Sequence, residues 1–576
     1  MRTRVTRLTG GLIRGEGGSP ALKGLAGAAV LIGVLTVLAR IAGFGRTVVF
    51  SQTVHNGCVG QAYFTANQVP NIVFEIVAGG ALASMVVPVL AGGVQRGERD
   101  DVRRTASALL TWVIVVLLPL SVLGAVLARP VMGLLAHGHD GMIGTCAQSE
   151  VVAAGARMLV VFAPQILLYG LAVVLYGVLQ AHRRFTGPAV APLISSLVVI
   201  GAYLLYVPWG PADPDDLGGL PRTAELVLSV GTTLGVAALV ATVLVAARPL
   251  RLGLRLTLSF PPGVASRVRR LALAGLATVV AQQIATIGVV VLTNGDMTTG
   301  ALVDYNFAWA VFLLPWAILA VPIATSAFPV LSGRAAEGDL ASFDRVTAST
   351  TRAVVLASCA GAAVLCAVAL PAAHFLDGHP PAGHVLDGHP AADPLVLARA
   401  ILAFAPGLVG YGLVAHLGRV LFAGGRGRAS AGATVAGWLA VLAADLVLVQ
   451  AVPRDWRVAA LGLGNTLGMT LAGALLLAAL LRSRGRGSAR GLARAAVAGL
   501  AGALGGGLAG YGVAHAFGPG GRFADVGTAV LAAAVAAGVF VVIVYLIDGG
   551  DLRAVLSRKA VRDAGAGHDA GAGQDA

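Results

Sequence analysis

Charge is scarce in this chain: 12% of its 576 residues carry it, about half the share of an ordinary soluble domain. A chain so poor in charge and 57% hydrophobic is not a string of water-soluble domains. Lysine is almost missing, since only Lys23 and Lys559 stand among 41 basic residues. The formal charge of +14 therefore comes from arginines, which sit in short runs between apolar segments rather than on one periodic face. That placement excludes a nucleic-acid partner. The arginine, alanine and glycine bias fits a GC-rich bacterial coding sequence, and so a plasma membrane. Cysteine is rare as well, with four residues and no zinc-spaced Cys/His set. Neither a phosphate-binding P-loop nor a nucleophile elbow occurs, so we expect no enzyme and no cofactor.

What the chain does have is long apolar runs. They fall at about 26–50, 61–94, 106–128, 152–180, 187–207, 224–247, 271–293, 299–331, 351–373, 395–423, 430–451, 457–481, 493–515 and 525–547. Each is long enough to cross a bilayer as a helix of ~20 residues, which makes the expected fold an all-α integral membrane protein of about 14 transmembrane helices. The first run is too long for a signal peptide and lacks a cleavage site.

Counting Lys and Arg in alternate loops gives thirty-one on one side, from Arg2 to Arg562, and five on the other: Arg129, Arg222, Arg454, Arg457 and Arg522. The positive-inside rule puts the thirty-one in the cytoplasm, and both termini with them. The polar tail ending GAGHDAGAGQDA reads as disordered. A loop on the arginine-poor side, 374–393, repeats Leu-Asp-Gly-His-Pro at 376 and 386. Its histidines and aspartates suit a metal ion, but repeat expansion in a tolerant loop is the stronger reading. Cys58 and Cys146 lie in loops on that same side. A disulfide is one reading, and separate thiols are the one that loop placement alone favours. Cys359 and Cys366, seven apart on one helix face, read as packing residues.

Four stretches carry a family pattern. They are Ala39-Arg-Ile-Ala-Gly-Phe-Gly-Arg46 in span 1; Ala62-Tyr-Phe, Val69-Pro-Asn71 and Val87-Pro-Val-Leu90 in span 2; His182-Arg-Arg-Phe-Thr-Gly-Pro-Ala-Val-Ala-Pro192 entering span 5; and Leu314-Pro315, Ala324-Thr325 and Pro329-Val-Leu-Ser332 in span 8. In order, spacing and depth the chain resembles the MurJ/MviN family of lipid II flippases, within the MOP exporter superfamily, from about residue 24 to 482. The resemblance implies two six-helix lobes, MATE-like and V-shaped, plus two C-terminal helices. It divides the chain into a cytoplasmic segment 1–25, a first lobe 26–247, a cytoplasmic linker 248–270 and a second lobe 271–481. Two last spans over 482–548 and a disordered cytoplasmic tail 549–576 follow. It implies alternating access that moves an undecaprenyl-diphosphate-linked peptidoglycan precursor across the bilayer. Its partners would be that lipid-linked substrate, membrane lipids and, in a further reading, cell-wall synthesis proteins.

A diphosphate calls for cations at low dielectric, and arginine forks onto phosphate oxygens while staying protonated. A charge at mid-bilayer costs at least about 2.5–3.5 kcal/mol, so intramembrane charges face protein or water. The candidates are Arg40, Arg46, Glu75, Arg157, Arg399, Arg419 and Asp445. Arg40 and Arg46 match family arginines assigned to the headgroup; the competing reading is that they snorkel to an interface. Six apart, they would need Gly43 and Gly45 to bend the helix for both to reach one chamber. Arg419 reads equally as substrate contact or cytoplasmic anchor, and Arg157 and Arg399 read as anchors. Glu75 is either a relocated partner for Arg40 or Arg46 or a locally satisfied polar group. Asn71, with Asn67, Gln68, Gln282 and Gln283, lines the cavity or bonds between helices. The chain departs from the family pattern at Gln61, at Ile72 to Glu75, at Ala78-Gly79-Gly80, at Trp309, Ala310 and Leu313, and at Gly425-Arg426, losing charges at each. Those losses keep two other readings open, a paralogue exporting another lipid-linked glycan and a non-transporting scaffold.

Overall fold

A computed structural model describes residues 20–77, 96–211, 213–251, 253–261, 264–377 and 393–556, with isolated positions between 86 and 94. The N-terminal arginines, Lys23's side chain, Ala78-Gly79-Gly80, most of the His/Asp loop and the tail from 557 lie outside the described residues. So do Val87 and Pro88 of the Val87–Leu90 motif.

The apolar runs are helices, and their boundaries match closely. α1 spans Pro20–Thr53, α2 Cys58–Phe74, α3 Arg99–Val126 and the short α4 Ala128–Leu135. A two-strand hairpin, β1 (Met142–Ile143) and β2 (Cys146–Ala147), leads into α5, Gln148–Phe162. α6 is Pro164–Ala181, α7 Thr186–Tyr206 and α8 Arg222–Ala247, which completes the first half. The second half holds α9 (Val264–Thr293), α10 (Ala301–Pro315), α11 (Val321–Glu337), α12 (Leu340–Asp377), α13 (Pro394–Phe404), α14 (Gly407–Ala423), α15 (Gly427–Ala451) and α16 (Arg457–Arg484). α17 (Leu492–Phe517) and α18 (Arg522–Leu556) follow, α18 being kinked at Asp548 and continuing past the expected start of the tail.

Among the described residues, twelve helical stretches are long and apolar enough to cross a membrane, and α13 with α14, bent by 44°, makes a thirteenth. The remaining expected span begins with α2 and runs into residues outside the description. Several helices overshoot the apolar runs, and at the ends of α11 and α16 the added turns carry Arg334, Arg482 and Arg484. α11, for example, continues through Arg334 to a left-handed Gly338 that stops it, the conformation that favours glycine at a helix end.

Each half packs mainly against itself, and the two halves repeat a tie. Arg157 on α5 grips Glu225 at the start of α8 through two nitrogens, 2.6 to 3.0 Å away. At the equivalent place Arg399 on α13 meets Asp455, just before α16, at 2.6 Å, with its guanidinium over the Trp456 ring. Both arginines, expected as anchors, tie neighbouring helices. The linker runs extended along α3, where the Arg255 and Thr257 N–H groups donate to Ser107 and Thr111 hydroxyls. Helix α9 then begins at Val264, inside the stretch expected to be linker. Gly502, Gly506 and Gly510 on α17 let its backbone come close to Phe540, Ala536 and Ala532 of α18, the small-residue packing that lipid-embedded helices use.

Cys58 and Cys146 form a disulfide, which corrects the expectation of separate thiols. The β-hairpin folds Cys146 back over the N-terminus of α2, a proximity that a sequence separation of 88 conceals.

Candidate functional site

The site is a cleft between the two lobes, closed at the arginine-poor face. Closure starts from the sequence of α2, where Gln61, Thr65, Gln68 and Glu75 recur at helical spacing and so share one face. Gln61 is fully buried and donates to the Thr293 carbonyl and the Asn294 Oδ1 across the cleft, at 3.2 and 3.0 Å. Its own Oε1 accepts the Leu302 N–H. Thr65 and Asn294 exchange hydrogen bonds, and Gln68 reaches Asn306.

Three more contacts complete this seal. Gln52 donates to the Phe375 carbonyl at 2.8 Å, and Asn56 donates to the buried Asp304 carboxyl at 2.6 Å. The hairpin adds Thr145, bonded to Thr299, and the disulfide holds that hairpin in place. Gly300 opens α10 at φ +73°, and a Cβ there would overlap the Asn56 side chain. Glycine is therefore needed twice over at this position, for its conformation and for space.

Below the seal lie the charges. Arg46 is exposed and close enough to Tyr63, Tyr169 and Tyr203 for its charge to act on all three hydroxyls. Tyr63 in turn bonds Tyr203 and Thr232 at 2.8 Å each, so Arg46 faces an ordered polar wall built from α2, α6, α7 and α8. Glu75 sits about 25 Å along α2 from Cys58, at 1.5 Å per residue. It is half-buried with no cation against it, and its charge acts on Tyr169 of its own lobe and Tyr411 of the other. Glu75 thus looks into the cleft.

The other candidates fall less centrally. α1 is one continuous helix through Gly43 and Gly45, and residues six apart on it project about 120° from one another. Arg40 is exposed with no described partner, and neither Arg40 nor Arg46 pairs with Glu75 among the described residues. Asn71 is half-buried beside Pro70, its carbonyl accepting the Glu75 N–H. Arg419 bends back to the Ala415 carbonyl of its own helix. Asp445 is fully buried beside Gly464, where a Cβ would collide with its carboxyl. Glu225, Asp304, Asn56 and Asn294 were missed as contributors. Their signal is weak in a sequence, because each is one polar residue at a span end whose partner is distant.

Two lobes of membrane-length helices, joined by a seal at one face with polar residues beneath it, define the class: a helical membrane protein of the two-lobed kind. A family model described as lipid II flippase MurJ matches residues 50–519. The chain belongs to that family. The lipid II flippase MurJ of Burkholderia cenocepacia is 26% identical over 175 residues, 30% of this chain and 32% of that protein. The probable lipid II flippase MurJ of Synechocystis is 26% identical over 215 residues, 37% of this chain and 38% of that protein. The chain thus matches about a third of the length of these curated relatives. A solved lipid II flippase MurJ in an inward closed conformation superimposes with TM-score 0.67 at 16% identity, covering 90% of this chain and 99% of its own. A MATE family multidrug transporter of the MOP superfamily gives 0.59 at 14% identity, covering 77% and 96%. These confirm the expected fold.

Proposed function

We propose that the chain flips lipid II, the polyprenyl-diphosphate-linked peptidoglycan precursor, from the cytoplasmic to the outer leaflet of the plasma membrane. The observation that carries this reading is Arg46, a guanidinium exposed in a cleft sealed at one face. Its fork geometry suits two phosphate oxygens at once, and the low dielectric around it strengthens the pairing. Arg40, Asn71 and Arg419 stand as further substrate contacts, with Arg40 nearer the entrance. The arginine count makes the sealed face the outer one, so this state admits substrate from the cytoplasm and from the inner leaflet beside it.

The seal is suited to opening. It consists of hydrogen bonds, most between neutral groups, each worth only about 0.5–1.5 kcal/mol net because water replaces them on separation. A ligand held more tightly by the opposite arrangement of the lobes shifts the equilibrium by that difference in affinity. Substrate binding can therefore tilt the balance between states without hydrolysis of a nucleotide.

The test is complementation. A host depleted of its own lipid II flippase and expressing this chain at normal membrane levels is expected to grow and keep its shape. Lysis despite normal levels would overturn the reading.

A further inference from the structure

The second lobe contains a feature that diphosphate binding does not use. Between α10 and α11 the helix widens into a π-helical turn, Trp316–Ala320, flanked by Pro315 and Pro322. Such turns are rare and concentrate at functional sites, because one extra residue per turn re-aims the side chains that follow. Here the turn begins at Trp316, which lines a pocket of about 190 Å³. Thr278 and Gln282 of α9, Tyr411 of α14, and Thr434 and Trp438 of α15 form the rest of its polar and aromatic lining.

The pocket's chemistry is specific. None of its described lining residues carries a formal charge, so they have nothing with which to hold a phosphate. It offers three aromatic faces; the Thr434 hydroxyl donates to the Ser430 carbonyl and keeps its lone pairs for the pocket, and three other polar groups are unspent. The Trp316 indole N–H is buried with no acceptor among the described residues, although a buried indole N–H ordinarily finds one, and leaving it unmet costs about 1–3 kcal/mol. Neither the Gln282 carboxamide nor the Tyr411 hydroxyl bonds to a described residue. Tyr411 also lies near enough to Glu75 of the opposite lobe to feel its charge. The volume is below the about 300–1,000 Å³ of sites that enclose a whole ligand.

Aromatic faces with neutral donors and acceptors at their rims match a pyranose ring, whose C–H faces are apolar and whose edge carries hydroxyl and amide groups. We propose that this pocket is a sugar subsite: it takes one acetamido-hexopyranose ring of the substrate, with the ring against the aromatic side chains. An acetamido or hydroxyl oxygen accepts from the Trp316 indole, and Gln282 and Thr434 pair with the remaining edge. The first lobe then holds the diphosphate and the second lobe reads the sugar. This assignment rests on the flippase reading and adds a division of labour to it.

The test is binding of two probes to the purified full-length chain in detergent, lipid II and undecaprenyl diphosphate, which lacks the sugars. The wild-type chain is expected to bind lipid II about tenfold more tightly. Gln282→Leu and Thr434→Val should each erase most of that preference while leaving undecaprenyl diphosphate binding unchanged, which also certifies their folding. Trp316→Phe keeps the ring, removes the N–H and should fall between. Equal wild-type affinity for both probes, or variants that weaken both probes alike, would overturn the sugar assignment while leaving the flippase reading intact. Binding of neither probe would overturn both.

Discussion

The two lobes share a frame and differ in what they line it with. Each has an arginine–carboxylate tie between corresponding helices, Arg157 with Glu225 and Arg399 with Asp455. Each has a π-helical turn at corresponding depth, beginning at Glu75 in one and Trp316 in the other. Yet one wall presents Arg46, Glu75 and tyrosine hydroxyls, and the other Trp316, Tyr411, Trp438 and Gln282. The repeated parts are those that hold helices together or bend them. The divergent parts are those that face the cleft. A duplicated scaffold can thus keep its mechanics while its two walls specialise for different portions of an amphiphile.

The largest expected effect comes from the charged wall. Arg46→Ala should reduce rescue in the complementation assay at least tenfold, since a single charge-assisted bidentate contact is worth about 1.5–3 kcal/mol. Arg40→Ala should reduce it less, because α1 is one continuous helix on which residues six apart project about 120° from one another. Equal losses at the two positions would break the assignment of the diphosphate to Arg46.

Removing the disulfide comes next. Cys58→Ser or Cys146→Ser opens a link closing 88 residues, and the usual cost of such a loss is about 2–4 kcal/mol. Thermal unfolding in detergent should show a lower midpoint, and reductant should lower the wild type but not the variants. The second lobe, which has no equivalent bridge among the described residues, should be indifferent to reductant when probed locally.

The two ties should prove unequal. Glu225 is 3% exposed and Asp455 47%. Glu225→Ala leaves Arg157 without its buried partner, and because Arg157 still touches solvent the cost should be about 1–3 kcal/mol. Asp455→Ala should cost less than about 1 kcal/mol. Melting curves of the two variants decide it, and a larger loss at Asp455 would contradict the burial argument.

At the seal, Gly300→Ala should displace Asn56 from Asp304 and raise the population open at the arginine-poor face. Faster labelling of Gln68→Cys by a membrane-impermeant thiol reagent would report it. The smallest effect belongs to Asp296, in the loop between α9 and α10. It accepts from Arg457 and pairs with Arg454, and these cations hold its carboxyl below the ordinary value of 3.8. A depressed carboxyl contributes stability that is present above its unfolded value and lost as pH falls through the folded one. Asp296→Asn should remove that acid-side loss, a change under about 1 kcal/mol because the pair is exposed.

Much of this was legible in the residues. Apolar runs and the alternation of arginine content located the spans, because each span must satisfy its own backbone within its own sequence and so announces itself locally. Arg46 and Glu75 stood out because a charge inside a span is costly wherever it sits. The pairing of Arg157 with Glu225 and the meeting of Cys58 with Cys146 were not legible, since each joins residues far apart in the chain. The Trp316 pocket was hidden for a further reason: Trp309, Ala310 and Leu313 read as lost charges, and nothing marks a π turn in a run of apolar residues.

The sequence by itself determined a membrane-embedded helical bundle and its family, because hydrophobic length and local motifs are properties of single segments. Which of two arginines meets the cleft, what closes it and what lines its second wall were decided only by tertiary structure. Those outcomes depend on helix rotation and on contacts between lobes, and no single segment carries that information.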